Sequence, residues 1–93
     1  MDLGLKGKRV LVTGSTAGIG LATARALAAE GAAVTVNGRT QARVDRAVAA
    51  LKGELPDAVV SGIAADLSHG EGCATLVGQL PDLDVLVNNL GIF

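Results

Sequence analysis

The chain has 93 residues, 49% of them apolar, a single aromatic residue, Phe93, and a formal net charge of −1 at pH 7. That length allows one small domain, residues 1–93, and scattered, nearly balanced charges give no reason to expect binding to nucleic acid or an anionic membrane. One cysteine, Cys73, excludes an intrachain disulfide; no apolar run nears the roughly 20 residues of a membrane span, and Met1 to Lys8 has no signal-peptide core, so the sequence reads as soluble and cytoplasmic.

Arg9 to Thr13, with the apolar run Val10-Leu11-Val12, is expected as the first strand. A glycine turn follows, then an alanine-rich helix over Gly18 to Glu30 that Gly31 stops. Ala33 to Asn37 is short and β-branched, a second strand. Thr40 is placed to cap a second helix, in which Val44, Ala47, Val48 and Leu51 fall at i, i+3, i+4 and i+7. Pro56-Asp57 reads as a turn, and Ala58 to Ala64 as the third strand. Over Glu71 to Leu80, the residues Cys73, Leu76, Val77 and Leu80 keep helical spacing against the low propensity of Gly70, Gly72 and Gly78. Pro81 ends that helix, and Asp84 to Asn88 is the fourth strand. Cys73 is read as a small buried residue of a helix face rather than a nucleophile.

Strands alternating with helices imply an α/β fold with a parallel sheet, because a parallel pair needs a long crossover. Right-handed crossovers and a doubly wound order place the strands 3-2-1-4. The switch point then falls between strands one and four, where open α/β sheets bind ligands at the carboxyl ends of the strands. Thr13-Gly14-Ser15-Thr16-Ala17-Gly18-Ile19-Gly20 ends strand one, and Asn88-Asn89-Leu90-Gly91 ends strand four. Two such segments converge on one crevice.

The first of them is built as a phosphate seat. Free N–H groups in the first turn of a helix, with the positive end of its dipole, favour an anion there. Glycine lets the chain turn tightly and lets a pyrophosphate approach the main chain. The spacing G-x-x-x-G-x-G differs from the usual dinucleotide fingerprint G-x-G-x-x-G, and no Gly-Lys-Ser/Thr closes it as a P-loop.

In Thr13-Gly14-x-x-x-Gly18-Ile19-Gly20, in Asp66-Leu67 after strand three and in Asp84-Val85-Leu86-Val87-Asn88-Asn89-Leu90-Gly91, the chain resembles the short-chain dehydrogenase/reductase family. The resemblance covers essentially the whole sequence and implies an incomplete, Rossmann-type doubly wound fold. It implies that Gly14, Gly18 and Gly20 shape the cofactor turn, with the Ile19 N–H directed at the pyrophosphate. Ser15 and Thr16 would offer hydroxyls toward the adenosine ribose and its substituents. Asp66 would accept from the adenine amino group, with the Leu67 backbone beside the ring. Asn89, Leu90 and Gly91 would pass beside the ribose, and Asn88 would tie strand four to strand one near Thr13. Leu90 stands where the family usually has Ala. His69 is read as a solvated loop residue.

Cofactor choice follows from charge. NAD-preferring sites carry an acid near the end of strand two, where this chain reads Asn37-Gly38-Arg39-Thr40. Arg39 is suited to donate in bidentate fashion to a 2′-phosphate, so NADP(H) is expected over NAD(H). The family's reaction also needs a Tyr-x-x-x-Lys pair and a Ser beyond the Asn-Asn-Ala-Gly segment. The sequence ends at Phe93 and holds no tyrosine, so no catalytic or metal-binding residue is assigned. The expectation is the cofactor-binding half of an oxidoreductase, truncated after the fourth strand, whose full reaction moves hydride between NADP(H) and a carbonyl or alcohol. A non-catalytic nucleotide-binding or dimerisation module and a non-functional truncated product stay open as alternatives. A homo-oligomer or the rest of a reductase would cover the sheet face and the edge Val85-Leu86-Val87 that the expected helices leave bare.

Overall fold

A computed structural model describes residues 4–66, 76, 78–80 and 82–89. The elements run β1 (Arg9–Val12), α1 (Gly18–Ala29), β2 (Ala33–Gly38), α2 (Gln41–Glu54), β3 (Val60–Ala64) and β4 (Val85–Val87). The strands form one sheet in the order β3-β2-β1-β4, with every pairing parallel. The expected doubly wound order is therefore the observed one.

Alternation along the strands explains the core. Val10 and Val12 of β1 share a face with Val34 and Val36 of β2, and all are essentially buried. They pack with Ala24 and Ala28 of α1, Val44, Ala47 and Leu51 of α2, and Val60. In α1 the buried stripe is Gly20, Ala24 and Ala28. Small residues four apart let that helix lie close to the sheet. Leu11 points to the opposite face and is also fully buried, as is Leu76. Across that second face, Leu11 registers with Thr35, and Thr35 with Ser61, whose hydroxyls stand 3.1 Å apart.

Both helices end on hydrogen bonds. At the end of α1 the Gly31 N–H donates to Ala28 O (3.1 Å) and the Ala32 N–H to Leu27 O (3.2 Å), the kind of arrangement a C-terminal glycine supports. An Arg25–Glu54 pair at 2.6 Å joins α1 to α2 on the partly exposed surface.

The strand ends depart from the expected bounds for local reasons. β3 starts at Val60 because the Ala58 N–H closes a turn onto Leu55 O (3.0 Å), leaving Val59 66% exposed. β2 gains Gly38, whose carbonyl accepts from the Ala65 N–H at 2.9 Å. β1 stops at Val12 because Thr13 begins the glycine turn. β4 is shorter than expected, although Asp84 still engages β1: its N–H donates to Arg9 O and its Oδ2 accepts from the Arg9 N–H, both at 2.9 Å. Most of the expected helix over Glu71 to Leu80, with Cys73 and Pro81, lies outside the described residues. Within them, Leu76 and Gly78 are helical and the Gln79 N–H donates to Leu76 O. Among the described residues, no helix is long and apolar enough to cross a membrane.

Candidate dinucleotide-binding site

Parallel strands put all their carboxyl ends on one edge, and the expected site residues gather there. Gly14 to Gly20 follow β1, Arg39 follows β2, Asp66 follows β3 and Asn89 follows β4. Leu67, Leu90 and Gly91 lie outside the described residues, as does His69.

The turn after β1 is made by glycines in the left-handed region, with φ of 56° at Gly14 and 59° at Gly18. Other residues adopt such angles at a cost. Gly20 serves differently: a Cβ there would run into the Gly14 carbonyl and the Asn89 side-chain amide. The start of α1 is bare. Its N-cap residue is Ala17, which lends no side-chain hydrogen bond, and no acid stands in the first turn. The leading N–H groups of a helix have no partner within it, so this end faces the strand-end edge with donors and a positive dipole. Ile19 extends beside it, 79% exposed.

Neighbouring strand ends clamp the turn from both sides. On the β4 side, the Asn89 side-chain amide donates to Gly14 O (3.1 Å) and the Asn89 N–H to the Thr13 hydroxyl (2.9 Å). That hydroxyl lies 3.2 Å from Asn88 Oδ1 and 3.4 Å from Val87 O, within donating reach of each. The expected tie of Asn88 to β1 near Thr13 is thus present. On the β2 side, Asn37 is buried to 1% exposure. Its Oδ1 accepts from the Gly14 N–H (3.1 Å), while its Nδ2 donates to Ile63 O (3.2 Å) and Ala65 O (3.3 Å).

Ser15 requires a correction. The resemblance turns its hydroxyl toward the ribose, but the structure buries it completely. It donates to Val12 O (2.7 Å) and accepts from the Asn37 N–H (2.9 Å). Its own N–H donates to Asn37 O (2.8 Å). The turn folds back over the end of β1, so a short hydroxyl there bonds directly to buried backbone groups. Thr16 is only half-buried and its methyl lies over Gly38, where a side chain would collide with it. Arg39, the next residue, is exposed.

Three residues were not singled out from the sequence. Asn37 reads from the sequence only as the end of a strand, since nothing local distinguishes its side chain. Arg43 and Arg46 line a groove of about 470 Å³ with Thr16, Ala17, Leu21 and Ala47, running from the turn along α2. Helical spacing from Arg39 and the Thr40 cap would have put Arg43 near the turn.

Comparisons with known proteins converge on the same picture. The family model described as short chain dehydrogenase matches residues 8–93. The oxidoreductase YvaG of Bacillus subtilis (strain 168), named as uncharacterized, is 52% identical over 93 residues, which are 100% of this chain and 35% of that protein. L-xylulose reductase of Mesocricetus auratus is 40% identical over 92 residues, 99% of this chain and 35% of that protein. Among solved structures, L-sorbose reductase from Gluconobacter frateurii, complexed with NADPH and L-sorbose, superimposes with a TM-score of 0.87 at 36% identity. That match covers 99% of this chain and 36% of that one. The chain spans about a third of the length of these relatives. With its parallel sheet, its glycine turn and this match along nearly its whole length, the chain belongs to the short-chain dehydrogenase family.

Proposed function

We propose that this chain is the dinucleotide-binding part of an oxidoreductase, and that it prefers NADP(H) to NAD(H). The observation that carries the reading is the convergence of the bare α1 start, Arg39, Asp66 and Asn89 on one edge of the sheet. In this reading the diphosphate lies on the amides of Gly18 to Gly20, and Ile19 shields it from water. Asp66, exposed after β3, accepts from the adenine amino group, with Leu67 beside the ring, while Asn89, Leu90 and Gly91 flank a ribose. Arg39 donates to the 2′-phosphate, with Thr16 next to it across Gly38. No acid stands in Asn37-Gly38-Arg39-Thr40 to repel that phosphate.

When bound, the reduced nicotinamide supplies a hydride to a carbonyl carbon. The residues of this chain hold and orient; among the described residues none is placed to give the carbonyl oxygen its proton, and the 93 residues include no tyrosine. We place that acid in the part of the protein matching the remainder of the relatives. Cytoplasmic location and a second copy, or that remainder, against the β4 edge belong to the same reading.

Titration of the full-length protein with NADPH and NADH tests it. A charge-assisted hydrogen bond contributes roughly 1.5–3 kcal/mol, so Arg39→Ala is expected to weaken NADPH about ten- to a hundredfold and to leave NADH unchanged. Binding of neither cofactor to the wild type overturns the reading. An unchanged NADPH/NADH ratio in Arg39→Ala overturns the assignment of Arg39. Binding without turnover of any carbonyl would favour a nucleotide-binding module.

A further inference from the structure

We propose that Asn37 is a positioning residue that fixes the spacing between the diphosphate turn and the adenine wall, an inference that rests on reading the strand-end edge as an NADP(H) seat. Its single buried side chain touches both half-sites. Oδ1 holds the Gly14 N–H, at the first glycine of the turn. Nδ2 holds the carbonyls of Ile63 and Ala65, the second of which immediately precedes Asp66. The Asn37 backbone adds two more bonds to Ser15, at 2.8 and 2.9 Å.

The choice of amide is chemical. The turn presents a donor and the β3 end presents acceptors, and a planar amide carries both functions on one short side chain. An ionised carboxylate is acceptor-only, so at this position it would keep the Gly14 bond and oppose two carbonyls.

The cofactor explains why the bridge matters for function. A dinucleotide is one ligand with two anchored ends, and its second end binds at an effective concentration set by how well the anchors match its span. The turn holds two glycines with positive φ, and loses much conformational freedom on ordering. Bonds that order it beforehand lower the cost of binding. Small misplacements between anchored groups are expensive. Asn37 therefore acts on the joint fit of a dinucleotide more than on either half alone.

Calorimetric titration of the full-length protein with two probes tests this: NADPH, and adenosine 2′-phosphate, which reaches the adenine side and Arg39 but carries no diphosphate. In Asn37→Thr, uncharged and suited to a strand, the affinity for NADPH is expected to fall about tenfold or more, with that for adenosine 2′-phosphate changed by about twofold at most. Asn37→Ser, also uncharged, supplies the same comparison if Asn37→Thr does not melt cooperatively. Val36→Ala is the control: it opens a cavity in β2 next to Asn37, so it should lower the melting temperature and leave both affinities unchanged. Equal losses for the two probes, an unaltered NADPH affinity, or the same split in Val36→Ala would overturn the role given to Asn37. Failure of the wild type to bind NADPH would instead refute the cofactor reading beneath it.

Discussion

The two long helices start at the same edge of the sheet, and they start differently. Thr40 caps α2 in the ordinary way, its hydroxyl accepting from the Arg43 N–H at 3.2 Å. At α1 the equivalent place holds Ala17, in extended conformation and with nothing to offer. Ser, Thr, Asp and Asn are the favoured residues at such positions, and Ala among the poorest. A capped start satisfies its own amides. An uncapped one leaves its leading amides open to an anion, at the expense of the cap's stabilisation. Under the proposed function, the contrast separates a helix that serves the fold from one that also serves the ligand.

Three substitutions break or sharpen that contrast. Ala17→Asp gives α1 the cap it lacks. The apo protein should gain roughly 0.5–1 kcal/mol in a denaturant melt. NADPH affinity should fall by about a hundredfold, because like charges brought together cost several kcal/mol. A gain in stability with unaltered affinity would mean that no diphosphate sits on α1. Thr40→Ala does the reverse at the other helix. It should cost about 1 kcal/mol of stability, and equilibrium titration should return the wild-type NADPH affinity. Arg25→Ala, which removes the partly exposed tie between the helices, should change stability by no more than about 0.5 kcal/mol. A larger loss would mean that the angle between α1 and α2 depends on that pair.

Much of this was legible in the residues. The apolar run Val10-Leu11-Val12 ahead of a glycine turn located β1, the short β-branched run after Gly31 located β2, and helical spacing located Val44, Ala47 and Leu51. The order of the sheet followed from the handedness of crossovers, a rule that needs only the alternation of elements. What escaped were contacts between segments distant in sequence. Ser15 looked outward because its motif suggests a hydroxyl for the ligand, yet the fold of the turn aims it at Val12 and Asn37. Asn37 reads as no more than the end of a strand because its partners, Gly14 and Ala65, lie 23 and 28 positions away. Ala58 and Val59 fall within the expected third strand, whereas the turn from Leu55 delays β3 to Val60 and Val59 reaches the sheet only through its carbonyl, which accepts from the Val34 N–H.

The stripe of Gly20, Ala24 and Ala28 has a consequence for how this site is able to evolve. The residues that set the height of α1 above the sheet also set where its leading amides stand. Enlarging Ala24 to fill the interior would raise the helix and withdraw the donors along with it. If the proposed function holds, sturdiness and cofactor grip are thereby geared to one another, and mutation is left to adjust recognition at the rim, where Arg39 stands.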